Sequence, residues 1–375
     1  MTKHSAANER IKRDYFAYLK EAKGRDEVTI DGVAKALARF EESTKARDFK
    51  RFHREQAVAF KAALAKATNA RTGERISKAT MLSTLRDLRA FFFWLAHLPG
   101  FKSHIAYADA DYFNLSDKDV TIARARREKR VPTLAQVHYV LSIMAADTVL
   151  ERRDRALIAF AALTVARAGA LASFRLGHVD LAAGLVEHDA RTVRSKFAKT
   201  FPTWFMPIGG DALAIFTDWV GELERDNLWG RDDPLFPATQ IGLDGERSFA
   251  AKGIARQGWT TSGPVREVFR RAFERAGLPY FNPHSFRDML VHHAMTLNLS
   301  AEEMKAWSQN LGHADVLTTF TSYGQVPAHR QGALIRGQGQ PRGQIDTLND
   351  PDVIALIEAI QAKVRPALPG TGNDR

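Results

Sequence analysis

The chain is 375 residues long, 45% hydrophobic and 26% charged, with 54 Lys and Arg against 43 Asp and Glu for a formal net charge of +11. That length and apolar fraction suffice for one large or two ordinary cores, two being the expected number, and a pI near 9.8 points to a polyanionic partner. Cysteine is absent, which excludes a disulfide framework, a thiolate metal site and a thiol nucleophile, and suits a reducing compartment.

Residues 1–20 are polar and charged, and the longest apolar run, residues 156–166, falls well short of the roughly 18 residues that span a bilayer. A soluble, cytoplasmic chain is expected. From about residue 8 to residue 98 the pattern is helical. Ser77 reads as an N-cap, after which Met81, Leu85, Leu88, Phe92 and Leu95 recur at steps of four and three and make one apolar stripe. Lys45, Arg47, Lys50, Arg51, Arg54, Arg71, Arg75, Lys78, Arg86 and Arg89 crowd the same half. They suggest a helical bundle with one phosphate-facing side, the alternative being an ordinary solvated face.

Apolar periodicity lapses over residues 116–131, where Arg124, Arg126, Arg127, Lys129 and Arg130 surround the acid Glu128. This stretch reads as an interdomain linker, either crossing a nucleic-acid backbone with counterion release or serving as a solvated strap. Pro132 then takes the N1 position of a helix through Val137, Val140, Leu141 and Met144, which opens a second domain. Residues 155–163 form an almost wholly apolar, hence buried, helix. Short strands are expected over residues 185–187, 192–194 and 203–206. Helices return with Leu213, Phe216 and Val220, with Val265, Val268, Phe269 and Ala272, and over residues 289–295 and 304–311. Residues 337–343, rich in Gly, Gln and Pro, form a loose linker to a last short helix in which Pro351 precedes Val353, Ile357, Ile360 and Val364 on one face.

Five short signals run in order through the second domain. The first is Leu163-Thr164-Val165-Ala166-Arg167, followed by Leu171 and, thirteen residues past the arginine, Asp180. The second is a strand pair that places Lys199 in a β-turn eight residues before Pro207. Third comes Pro283-His284-Ser285-Phe286-Arg287, whose spacing puts His284 and Arg287 on one helix face. The fourth, Leu311-Gly312-His313, is a helix stop followed by an imidazole, and the fifth is Tyr323, ten residues later. Each alone is commonplace. Two arginines, two imidazoles, a lysine and a hydroxyl converging on one small anion would suit phosphoryl transfer without a metal.

These motifs, in this order over about residues 132–335, resemble those of the tyrosine recombinase (phage integrase) family. The resemblance implies a mainly α protein of two domains: an N-terminal helical bundle of the core-binding, SAM-like kind over residues 1–115, and a mixed α/β catalytic domain with a small antiparallel sheet over residues 132–335. Residues 116–131 would be the basic linker and residues 336–375 a tail. It further implies site-specific cleavage and rejoining of double-stranded DNA by a nucleoid-associated homotetramer. Arg167 and Arg287 would hold the non-bridging oxygens of the scissile phosphate, and His284 and His313 would bond the same phosphate and assist proton movement. Lys199 would protonate the departing 5′ oxygen, and Tyr323 would become joined to the 3′ phosphate. Neither ATP nor a metal cofactor is implied.

Three departures from the family pattern stand out. Ala170 occupies the place, three residues after Arg167, where such chains usually carry an acid. The interval from His313 to Tyr323 is one residue longer than usual. Lys196 competes with Lys199 for the general-acid role. The alternatives are a type IB topoisomerase, which reseals the same strand after rotation, and a DNA-binding protein that kept the scaffold and lost cleavage. A metal hydrolase built on His284, His292, His293 and His313 lacks accompanying carboxylates at ligand spacing.

Overall fold

The computed structural model describes residues 5–70, 72–125, 129–195, 199–243, 245, 248–297, 299–313, 317, 319, 331 and 335. Tyr323, Lys196, the linker at 337–343 and the tail helix expected at 351–364 lie outside the described residues. The chain divides into two compact units, Met1–Arg127 and Glu128–Arg375. No helix among the described residues is long and apolar enough to cross a membrane.

The first unit is helical: α1 (Ala6–Ala17), running on through a π-helical turn at Tyr18–Ala22, then α2 (Glu27–Ser43), α3 (Arg54–Lys66), α4 (Lys78–His97) and α5 (Asp117–Arg124). Short polar side chains start these helices where the first N–H groups lack partners. Asp26 accepts from Thr29 N at 2.8 Å and Ser77 from Thr80 N at 3.1 Å, so the cap expected at Ser77 is present. The stripe of Met81, Leu85, Leu88, Phe92 and Leu95 is buried throughout. It meets an aromatic core in which Phe52 stacks on Phe92 at 3.8 Å and Phe40 packs edge-on against Phe60, Phe92 and Phe113.

Residues 117–124 of the expected linker are the helix α5, tied to α4 by the Lys78–Asp119 ion pair at 2.8 Å; an exposed one-sided helix shows little apolar periodicity, which is why it read as a break. Several of the basic residues also already face acids, Arg54 with Glu55, Arg86 with Asp87 and Arg89 with Asp111.

One buried polar residue closes the turn after α2. Asn8, fully buried, donates to Glu41 Oε1 at 3.0 Å and Arg47 O at 3.1 Å and accepts from Phe49 N at 3.0 Å. Between these anchors Lys45 and Ala46 hold φ of 56° and 55°, a left-handed conformation that costs non-glycine residues energy. Asn8→Ala should therefore destabilise this unit by about 1–3 kcal/mol, because the Phe49 N–H loses its acceptor in the core. A shifted urea midpoint at unchanged slope is the check.

The second unit is organised around α7 (Val149–Thr164), whose residues from Ala156 to Thr164 are all buried, as expected of so apolar a run. Around it pack α6 (Leu134–Ile143), α9 (Ala212–Arg225), α10 (Gly263–Arg275) and the second strand of a hairpin described below. A three-stranded antiparallel sheet in the order β1-β2-β3 is made of Val179–Asp180, Leu185–His188 and Phe201–Trp204. The single turn α8 (Ala168–Leu171) precedes it, and α11 (Ser285–Ala294) and α12 (Ala301–Asn310) complete the unit.

Local chemistry explains where this unit departs from expectation. Pro132 is not N1: Thr133 caps α6 through a reciprocal pair with Gln136, at 3.1 and 3.0 Å, and the proline lies one residue earlier. Residues 192–194 are a turn rather than a strand, because Asp189 captures the Arg191 N–H at 2.9 Å while its carbonyl accepts from Thr192 N and Val193 N. The third strand ends at Trp204, short of Met206. In α9, Phe216 and Val220 face the core but Leu213 is 49% exposed.

The largest omission is the hairpin of β4 (Pro237–Leu243) and β5 (Phe249–Gly258), which is anchored to α7 by Arg153. That buried guanidinium donates to Pro237 O at 3.0 Å and Thr239 Oγ1 at 3.1 Å and pairs with Asp154.

Candidate active site

The apolar helix α7 ends at Thr164, and the chain turns sharply through Val165, whose φ of 46° is unusual for a β-branched residue. This left-handed cap ends the helix one turn before Arg167, so that Arg167 sits at the N-cap of α8 instead of continuing α7. Strain at Val165 is held by Arg287, whose Nη1 donates to the Val165 carbonyl at 2.9 Å.

Arg287 is the centre of the site. It is 3% exposed, lies in the first turn of α11 three residues after His284, and also donates through Nη2 to the carbonyl of Leu311. The same Nη2 lies 3.2 Å from His313 Nε2. One guanidinium thus joins the end of α7, the start of α11 and the end of α12, using the fork geometry that lysine lacks. His284 stands exposed at the N-cap of α11, its backbone N–H held by Asn282 Oδ1 at 3.0 Å.

His313 is placed by the way α12 stops. Asn310 mimics a strand edge toward β3, accepting from Trp204 N at 2.7 Å and donating to Trp204 O at 2.9 Å. Gly312 follows with φ of 68°, and a Cβ there would fall 2.5 Å from Phe201 Cζ, so any side chain would be strained and would have to displace that ring. The imidazole of His313 then bonds Thr319 Oγ1 through Nδ1 at 2.9 Å, and that hydroxyl donates to Ser308 Oγ at 2.7 Å. The expected helix stop is therefore present, and the Ser308 and Thr319 partners are additions that spacing did not reveal.

Lys199 does not occupy a tight β-turn. It lies exposed, two residues before β3, at the end of the connection 189–200. Both ends of that connection are pinned: Thr200 Oγ1 accepts from Ala190 N at 3.1 Å, and Ser195 Oγ donates to Lys199 O at 3.0 Å. Arg194 staples the loop to the body of the unit, donating to Ala172 O at 2.9 Å, to Trp259 O at 2.6 Å and to Thr260 O. Lys199 and His313 line one groove between β3 and α12.

Five of the six residues singled out from the sequence are thus brought together; Tyr323 is outside the described residues. The electrostatics agree. Burial, then the charges of Arg287, Arg167, Lys199 and His284, push the His313 imidazole down to about 4. A sixth group, His188 at the end of β2, joins them unannounced: 4% exposed, it is pushed down to about 3 by burial and then by Arg287 and Arg167. Its ring stacks on Phe201 at 4.3 Å and 8°. The alternation of β2, with Val186 and His188 inward, was the available signal, but the strand was expected to stop at residue 187. Among the described residues no group of three or more His, Cys, Asp or Glu is placed to hold a metal ion.

These depressed histidines set an acid dependence. Unfolded imidazole takes up its proton near pH 6.5. The folded ones do so near 4 and 3. Between those limits the unfolded state binds more protons, so stability present above about pH 6.5 is lost as pH falls through the folded values. Asp154 and Asp288, raised chiefly by burial, oppose the trend. The histidine share is the difference from His188→Phe, whose Tm should fall less than wild type between pH 7.5 and 5 in calorimetry.

A sequence model of the phage integrase family matches residues 134–330. The chain belongs to that family, the tyrosine recombinases, enzymes that cleave and rejoin DNA. It is 24% identical over 316 residues to tyrosine recombinase XerC of Xylella fastidiosa strain 9a5c, covering 83% of this chain and 90% of that one. XerC of Pseudomonas putida strain F1 is 25% identical over 206 residues, 54% of this chain and 59% of its own. Among solved structures, a lambda integrase dimer bound to a COC′ core site matches with TM-score 0.57 at 14% identity, covering 90% of this chain and 99% of that one. XerH site-specific recombinase bound to palindromic difH substrate matches with TM-score 0.54 at 16% identity, covering 88% and 84%. At these identities the solved structures speak to the fold alone.

Proposed function

We propose that this protein is a site-specific DNA recombinase that breaks and rejoins strands through a covalent bond between Tyr323 and a 3′ phosphate. The observation that carries the reading is the convergence on His313 of Arg287, Arg167, Lys199 and His284, four donor groups from three segments: the start of α11, the N-cap of α8 and the approach to β3. Arg167 and Arg287 bind the non-bridging oxygens and offset charge as the phosphorus becomes five-coordinate. His313, neutral at working pH and oriented by Thr319, and His284 at the mouth of the site hydrogen-bond the same phosphate and help remove the tyrosine proton. Lys199 gives a proton to the leaving 5′ oxygen. The P–O5′ bond breaks as the P–O bond to tyrosine forms, so the phosphodiester energy is retained and a 5′ hydroxyl can reverse the step.

Within this reading residues 1–115 form the core-binding domain, residues 116–131 the basic connection and residues 132–335 the catalytic domain. Four protomers assemble on two duplexes, with the 351–364 segment contacting a neighbour. A second reading, DNA binding without cleavage, is favoured by one observation: Arg167 has no hydrogen-bond or ion-pair partner among the described residues, and Ala170 stands where an acid would support it.

Incubation with DNA from the source genome, quenched in SDS, separates the two. Covalent adducts at discrete sites that vanish in Tyr323→Phe support recombination; specific binding with no adduct supports the second reading.

A further inference from the structure

Arg167 reaches into a small internal cavity lined by Thr164, Ala170, His188, Ser195, Thr203 and Arg287. No carboxylate lines it. The three hydroxyls around it already direct their protons elsewhere: Thr164 to Phe160 O at 2.8 Å, Ser195 to Lys199 O at 3.0 Å and Thr203 to Asn310 O at 3.2 Å. His188 is different. Its Nε2 is buried and has no hydrogen-bond partner among the described residues, a costly arrangement for an imidazole locked between Phe201 and Phe174.

We propose that His188 is a positioning residue for Arg167, its ring nitrogen accepting a guanidinium N–H so that the arginine presents its remaining donors to the scissile phosphate. The proposal rests on the recombinase reading above. It gives the orphaned nitrogen a partner and the unsupported arginine an orienting contact, from two side chains that border one cavity. Burial and the two guanidiniums keep the imidazole neutral, as an acceptor must be. A neutral acceptor also aligns the guanidinium without cancelling its charge, so all of that charge remains for the phosphate. Ala170 leaves the space that a carboxylate would otherwise fill.

The test uses the full chain and sheared duplex DNA of the source genome, with SDS-resistant adduct formation and filter-bound DNA measured in parallel. His188→Phe keeps the ring that stacks on Phe201 and removes both nitrogens. It should slow adduct formation about 10- to 100-fold at an unchanged fraction of DNA bound. Adding Ala170→Asp, which returns an acceptor one helical turn from Arg167, should recover most of that loss. Adducts formed by His188→Phe at the wild-type rate would overturn the proposal. So would a slow His188→Phe enzyme that Ala170→Asp fails to restore, since the lost nitrogen would then serve something other than the setting of Arg167. Absence of adducts from the wild type would instead remove the recombinase reading itself, and this inference with it.

Discussion

Replacing Arg287 by alanine is expected to lower the rate of covalent adduct formation by at least about 10²- to 10³-fold, the usual cost of one charge donor at a phosphoryl transition state. It should do more than that, because this guanidinium is also structural. The carbonyls of Val165 and Leu311 both accept from it, and both lie in a site it helps to close. Leaving them without a donor should cost about 1–3 kcal/mol each, visible in urea unfolding. The left-handed turn at Val165 loses its restraint at the same time, and with it the setting of Arg167. Arg287→Lys separates the two roles. It keeps a charge near the phosphate but cannot reach both carbonyls and the phosphate at once, so it should regain part of the stability and little of the rate. A normal cleavage rate in Arg287→Ala would remove this residue from the mechanism.

Lys199→Ala is expected to slow cleavage by about 10²- to 10⁴-fold, as befits loss of a general acid. The reason lies in the leaving group. An alkoxide, whose parent hydroxyl has a pKa near the ~16 of water, departs poorly without a proton. A thiolate with a pKa of about 8.5 departs without one. Substrate carrying sulfur in place of the 5′ bridging oxygen should therefore restore most of the Lys199→Ala rate and leave the Arg287→Ala defect in place. Lys196→Ala should cleave ordinary DNA nearly as wild type does. If sulfur rescued Lys196→Ala and not Lys199→Ala, the proton donor would be Lys196.

Much of the scaffold was legible in the sequence because it rests on local periodicity. The α4 stripe, the buried α7 and the glycine stop at Gly312 each follow from spacing and a capping residue. What escaped depends on contacts between distant segments. The β4–β5 hairpin is poor in β-branched residues and draws its anchorage from Arg153 on α7, which no local window contains. Residues 192–194 have strand-like composition, yet the Asp189 carbonyl satisfies the N–H groups of Thr192 and Val193 locally and turns the chain, while the Arg194 N–H donates to Ser173 Oγ. The site shows the same division. Arg167, Lys199, His284, Arg287 and His313 were legible as an ordered set of motifs, whereas their mutual distances were not. His188 lies 99 residues before Arg287 and has no motif of its own. Only the folded sheet, through Phe201, brings it beside the arginines. The Thr319 partner of His313 was hidden likewise, because a threonine among threonines carries no positional signal.

The proposed mechanism rests on the joining of one particular tyrosine to DNA. The direct measurement is proteolysis and mass spectrometry of the wild-type adduct after nuclease trimming, to find which residue carries the nucleotide. The expected product is a 3′-linked nucleotide on the peptide containing Tyr323, with a free 5′ hydroxyl on the other strand end. A nucleotide on any other residue, or a 5′-linked adduct, would contradict it.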